Sequence, residues 1–204
     1  MLKNVVIAID REYGSGGRAV AEELSEIMGI KLYDKDLIKL IAKDSGYSEE
    51  VLRDIDETAT NSLLYTLSMN ATHNMAMMVN GHGIPVGDKA FAIGSNIIKE
   101  LAEKESCIII GRCADSILKD RDNLLSVFIY GDTENKIERV CEYENCTKSE
   151  AASLIKKIDR RRSFYHNYYS DTKWGDRRSY DIAINSKIGI DKVAKIIKYM
   201  AENK

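Results

Sequence analysis

Gly14-Ser15-Gly16-Gly17-Arg18 puts three glycines, a hydroxyl and a guanidinium into five consecutive positions. Glycine lets a backbone approach a ligand without side-chain obstruction, and arginine meets an oxyanion with a planar fork of donors. The chemistry this combination serves is phosphate binding. The flanking residues supply the elements that would hold it. Val5, Val6, Ile7 and Ile9 form an apolar run with the length and β-branching of a strand buried on both faces. Beyond the loop, Val20, Leu24, Ile27 and Met28 recur at helical spacing, and Gly29 stands where that helix would stop. A helix that begins at the loop aims its free N–H groups and positive dipole end at whatever the loop holds.

Two phosphate-binding designs compete for these residues. Gly14 to Ala19 fits the dinucleotide pattern G-x-G-x-x-G/A, and Asp34, after a second short strand, falls near the place of a ribose-binding acid. A dinucleotide loop turns into its first glycine directly after the strand, whereas Asp10, Arg11, Glu12 and Tyr13 intervene here and give the longer lobe of a P-loop. The pattern G-x-x-x-x-G-K-[ST] is not met either. With its second glycine on Gly16, the residues Arg11, Gly17 and Arg18 occupy the first-glycine, Lys and Ser/Thr positions.

A chain of 204 residues, 44% hydrophobic and 30% charged, can bury a substantial core and fits one domain with an appendage. The net charge of -2 gives no general attraction to nucleic acid or to an anionic membrane. No apolar run reaches the length of a membrane span, and the N-terminus enters a strand without a signal-like leader, so the expected compartment is the cytoplasm. Cys107, Cys113, Cys141 and Cys146 match no C-x-x-C pair and read as reduced thiols. His73, His82 and His166 stand apart from them and from each other, which argues against a zinc site.

In chain order, Lys31-Leu32-Tyr33 has strand length, and Asp34 can cap a helix carrying Leu37, Ile38 and Ile41 that ends at Gly46. Ser48 begins another helix. The loosely helical stretch from Asn61 to Val79, with methionines at 69, 75, 77 and 78, reads as a helical hairpin or as the lining of a pocket. Gly81 to Asp88 holds the single proline and reads as a mobile connection. A helix with Ile97 and Ile98 then leads to a strand at Cys107 to Ile110, followed by Gly111-Arg112. Leu124 to Tyr130 is a further strand, Thr133 to Tyr143 a helix, and Thr147 to Glu150 a capping box. Asp181 to Ile184 is the last strand and Ile190 to Met200 the closing helix. Apolar strands separated by helices imply an α/β fold, a mainly parallel sheet of five strands with helices on both faces, whose ligands bind at the carboxyl ends of the strands. The Gly14 loop, Asp34 and Arg112 would converge on that edge.

The succession IAIDREYGSGGR, LYDKDLI, IIIGRCAD, DRRR before a Tyr-rich stretch, and YDIAINS resembles the cytidylate kinase-like family of P-loop proteins, relatives of the nucleoside monophosphate kinases, over nearly the whole chain. The resemblance implies an acceptor-binding insertion at about residues 46–92 and a lid at about 147–180. It implies that Asp10 corresponds to the family's Asp at the end of the first strand, that Arg112 contacts substrate phosphate, and that Asp159 and Arg162 form the D-x-x-R of the lid. The reaction implied is transfer of the γ-phosphoryl group of ATP to a small acceptor, CMP or dCMP, with Mg²⁺ bridging phosphates.

On this reading Gly14, Ser15, Gly16, Gly17 and Arg18 hold the donor, with Arg18 supplying charge one position after the usual lysine. Arg18, Arg112, Asp159 and Arg162 serve transfer, while Asp34, Arg112 and Arg178 bind the acceptor. Ser15 and Asp10 are the candidates near Mg²⁺, which keeps waters and takes few protein ligands. The basic cluster Lys156, Lys157, Arg160, Arg161 and Arg162 reads as a closing lid more readily than as a nucleic-acid surface, since no nucleic-acid module is visible. Partners are then a nucleotide and a small acceptor, with a homodimer allowed. Two other readings stay open: a P-loop protein that binds nucleotide without transfer, supported by the missing lysine, and an NAD(P)-dependent oxidoreductase, resting on G-x-G-x-x-A alone.

Overall fold

Alternation along the first strand decides the layering of the molecule. Successive side chains of a strand point to opposite faces, and Val6 and Ala8 are buried on one side while Ile7 and Ile9 are buried on the other. A strand with no polar face must lie inside a sheet covered twice. The computed structural model of the protein, which describes residues 4–52, 79–80 and 84–204, shows that arrangement.

The main sheet contains β1 (Val6–Arg11), β2 (Lys31–Tyr33), β3 (Cys107–Ile110), β4 (Leu124–Tyr130) and β5 (Ile182–Asn185), all parallel, in the order β2-β3-β1-β4-β5. A separate antiparallel pair joins Val79–Asn80 to Ile84–Pro85. The helices are α1 (Gly17–Met28), α2 (Lys35–Ser45), α3 (Val86–Lys104), α4 (Ala114–Ile117), α5 (Thr133–Glu144), α6 (Lys148–Tyr169) and α7 (Ile190–Glu202). On one face Val20 and Leu24 of α1 and Val193 and Ile197 of α7 pack against Ile7 and Ile9. On the other, Leu37 and Ile41 of α2 and Ile97 and Ile98 of α3 pack against Val6 and Ala8. Among the described residues, no helix is long and apolar enough to cross a membrane.

Helix ends follow local chemistry. Gly29 and Gly46 close α1 and α2 in the left-handed conformation, at φ 64° and 74°. Thr147 and Glu150 form a reciprocal capping box that starts α6. Three expectations need correction. Asp34 stands at the N-cap of α2 but makes no capping bond with its side chain, because its carboxylate turns toward Arg18 at 3.6 Å. The expected connection from Gly81 to Asp88 is shorter than its composition suggests, since Pro85 pairs in a ribbon and α3 already begins at Val86. A proline just before a helix is compatible with its start, because it lacks only an N–H that the helix would not use. The last strand lies one residue later than expected. The methionines at 69, 75, 77 and 78 lie outside the described residues.

Parallel order brings the carboxyl ends of all five strands to one edge. β1 is central there, with Asp10 opposite Phe128 and Arg11 opposite Ile129 of β4. The chain after β1 must turn sharply into α1, and Gly14 adopts φ 75° to do so. A Cβ on Gly14 would lie 2.8 Å from the Lys136 carbonyl oxygen and 2.9 Å from Val140 Cγ2. Gly14→Ala should therefore destabilise the protein by about 2 kcal/mol or more, from left-handed strain and overpacking together. Urea unfolding measures it, and a midpoint unchanged from wild type would show that the loop is not seated against α5.

Candidate functional site

The loop from Glu12 to Gly16 is fastened from outside by two helices. Asp159 on α6 accepts the Tyr13 N–H at 2.6 Å. Glu12 accepts from the Gly131 N–H at 3.2 Å and from Lys136 Nζ at 2.9 Å, and the same ammonium lies 3.8 Å from Asp159. Arg139 donates to the Gly14 carbonyl at 3.2 Å. Lys136 is buried, so its charge must be paired, and the two carboxylates that pair it come from the loop and from α6. Inside the loop, the buried Ser15 hydroxyl donates to the Glu12 carbonyl at 2.8 Å and accepts from the Gly17 N–H at 3.3 Å. These bonds hold the loop's shape before any ligand arrives.

Above the strand ends lies a cavity of about 300 Å³ whose lining includes Arg11, Arg112, Arg161 and Arg162. Four guanidiniums on one cavity repel one another, and Asp10 and Asp34 are the carboxylates that share its wall. Arg162 donates to the Arg11 carbonyl at 2.9 Å and sits 5.6 Å over the ring of Tyr13. Burial, then the neighbouring Arg11 charge, push its pKa down. An oxyanion entering the cavity would offset both by placing an opposite charge beside the guanidinium. A smaller apolar pocket adjoins it, formed by Ile41, Leu52, Phe91 and Ile98, and shares Ile38, Arg112 and Tyr165 with it.

Behind this cavity three ionisable groups are buried together. His166 Nε2 lies 2.8 Å from Asp115 and 3.7 Å from Asp10, and Tyr180 donates to Asp10 at 3.1 Å. Burial works against a charged His166, but the hydrogen bond and charge of Asp115, with Asp10 beyond, outweigh it and raise the pKa. Asp10 is also raised, by burial and then by the charge of Asp115. His166 Nδ1 is buried without a hydrogen-bond partner of good geometry. The ligand atoms of Asp10, Asp115 and His166 all lie within 4.8 Å of one another, close enough to hold a cation or, protonated, to form an ion cluster. The cluster ties α6 to the end of β1 and to α4. Phe91 stacked on Tyr169 at 4.0 Å, and the Tyr169 hydroxyl on Asp88 at 2.9 Å, tie the same helix to α3.

The expected site residues divide by location. Gly14, Ser15, Gly16 and Gly17 form the loop, and Asp10, Asp34, Arg112 and Arg162 line the cavity. Asp159 stands beside it, bonded to the loop backbone. Arg18 projects from the first turn of α1 with a side chain 53% exposed, paired with Glu22 at 2.9 Å and near Asp34 at 3.6 Å. Arg178 is 83% exposed and forks onto Asp176. Arg161, expected as part of the basic lid cluster, lines the cavity too, while sequence reasoning missed Arg11, Asp115, His166 and Tyr180 as site residues. One signal for His166 was present: Asp159, Arg162 and His166 are spaced by three and four, which places them on one helix face.

A sequence model of the cytidylate kinase-like family matches residues 6–188. No curated protein matches the sequence. The chain is similar to the crystal structure of an uncharacterized protein from Eubacterium ventriosum ATCC 27560, at 33% identity and a TM-score of 0.72, covering 98% of this chain and 99% of that one. A gluconokinase from Sinorhizobium meliloti 1021 has a TM-score of 0.54 at 16% identity, covering 98% and 95%. A shikimate kinase from Acinetobacter baumannii in complex with shikimate has 0.51 at 16% identity, covering 100% and 96%. At such identities these two kinases show the fold, that of P-loop kinases.

The buried cluster has a pH signature. His166 has a folded pKa above the ordinary imidazole value of 6.5, so its stabilisation is full below about 6.5 and is lost as pH rises through the folded value. Asp10 adds the same sign, because a raised carboxyl pKa means that ionisation on raising pH opposes folding. Melting temperature should fall from pH 6 to pH 8.5, and His166→Gln should flatten that fall. Parallel wild-type and variant profiles would show that His166 is not protonated in the fold.

Proposed function

The chain belongs to the cytidylate kinase-like family, and from that premise we propose that it transfers the γ-phosphoryl group of ATP to a small acceptor, a nucleoside monophosphate such as CMP or dCMP. The observation that carries this reading is the crowding of Arg11, Arg112, Arg161 and Arg162 around one cavity beside a preformed glycine loop. Like charges crowded on one wall repel one another, and a nucleotide's phosphates bring opposite charge to them. Strand order supports a P-loop over a dinucleotide site. In the dinucleotide fold β2 neighbours β1, whereas here β3 lies between them.

In this mechanism the backbone N–H groups at the start of α1 receive the donor phosphates. Arg112, which follows β3 at the sheet edge, orients the acceptor's phosphate in the cavity it lines with Asp34 and Ile38. Arg162, on the proposed lid, meets the charge that develops on the transferring group. A magnesium ion brought with ATP would supply charge neutralisation on the phosphates. Asp10 is the carboxylate suited to hold its waters, while the Ser15 hydroxyl is engaged within the loop. Catalysis is positioning and charge stabilisation, with no covalent intermediate.

Arg112→Ala should chiefly raise the acceptor's KM, and Arg162→Ala should chiefly lower kcat, in an ADP-release assay over nucleoside monophosphates. An unchanged kcat for Arg162→Ala would remove it from the transfer step. ATP binding without ADP release from any acceptor would favour a nucleotide-binding regulator. Thermal stabilisation by NAD or NADP alone would overturn the phosphotransferase reading.

A further inference from the structure

We propose that Arg11 is the phosphate-binding cation of the donor site, reaching from the end of β1 into the place that a P-loop lysine would take from position 17. The proposal rests on the phosphotransferase reading and names a residue that reading leaves unassigned. In G-x-x-x-x-G-K-[ST], a glycine stands at the first position and the cation at the seventh. This loop has the two exchanged, with Arg11 first and Gly17 seventh.

The structure gives the exchange a steric reason. A Cβ built on Gly17 would lie 2.6 Å from Arg11 Cβ and 3.0 Å from Arg11 Cγ. Cβ is fixed by the backbone and cannot swing aside, so only one of the two positions can carry a side chain. The Arg11 stem therefore crosses the first residue of α1, where the loop's N–H groups converge. Its far end makes a second demand. Arg11 Nη1 sits against Gly111, at φ 66°, in the space a Cβ there would need. Two glycines, one at each end of the side chain, leave room for a single guanidinium between the loop and the end of β3. That guanidinium lines the arginine cavity and lies close enough to Arg162 and Asp10 to act on the charge of both. Arg18, the nearer match to the lysine by sequence, points to solvent and to Glu22. A guanidinium can bridge two phosphate oxygens with parallel donors where an ammonium meets them as a point charge, so the exchange also changes the geometry of recognition.

Calorimetric titration with inorganic tripolyphosphate and with ATP plus Mg²⁺ tests the assignment on wild type and five variants: Arg11→Met, Arg11→Gly, Gly17→Lys, the double variant Arg11→Gly/Gly17→Lys, and Arg18→Ala. Arg11→Met keeps the stem and removes the charge, and should weaken tripolyphosphate at least tenfold with little change in melting temperature. Gly17→Lys alone should lose both affinity and stability, since its Cβ has no room. The double variant restores the ordinary order of the loop and should bind tripolyphosphate within a few-fold of wild type. A double variant no better than Arg11→Gly, Arg11→Met binding like wild type, or Arg18→Ala costing more than Arg11→Met would each overturn the assignment. Wild-type binding of tripolyphosphate but not ATP would sink the nucleotide donor and leave the Arg11 assignment standing. Binding of neither would sink both.

Discussion

Positive charge held close together at one sheet edge is the constraint from which the rest of the site follows. Arg162 is half-buried against the backbone of Arg11, whose own guanidinium shares the cavity wall with those of Arg112 and Arg161. Such an arrangement persists only if the scaffold forces it. Here the scaffold is the central strand, which delivers Arg11 to the sheet edge, and α6, which is fastened at Asp159, Arg162, His166 and Tyr169 along its length. The glycine loop is held by the same fastenings, so the cations and the loop's N–H groups are fixed relative to each other. An anion that meets both finds a site already organised.

Much of this was legible in the residues, for identifiable reasons. β3 is apolar throughout, and β1 up to Ile9 and β4 but for Ser126 are apolar as well, so their burial follows from composition. Gly29, Gly46 and the Thr147–Glu150 pair act locally, and each ends or starts its helix as local chemistry requires. What was not legible depends on side-chain direction. Arg11 reads as an intruder at a glycine position until its stem is seen crossing Gly17. Arg18 reads as a substitute lysine until its exposure and its Glu22 partner are seen. Asp34 has the type and position of an N-cap, but the charge of Arg18 draws its carboxylate away. The cluster of Asp10, Asp115 and His166 joins residues as many as 156 positions apart, a distance that no local pattern spans.

The departure from the lysine-bearing loop thus has a structural partner and does not stand as an isolated loss. The main sheet keeps the arrangement of P-loop kinases, with β3 between β2 and β1 and its five strands parallel. The change is confined to which end of the seven-residue stretch 11–17 carries the cation, and the glycines at 17 and 111 accommodate it. Buried groups behind the cavity add a second character. Asp10 faces both the arginines and the imidazole of His166, so its charge state links the sheet edge to α6. Protonation of this cluster and an anion placed among the arginines would therefore act on the same residue.

A crystal structure with a non-hydrolysable ATP analogue and magnesium tests the central claim most directly. The account predicts the β- and γ-phosphates over the first N–H groups of α1, with the guanidiniums of Arg11 and Arg162 within hydrogen-bond distance of their oxygens. Phosphates bound elsewhere, or bound at the loop with both guanidiniums turned away, would contradict it.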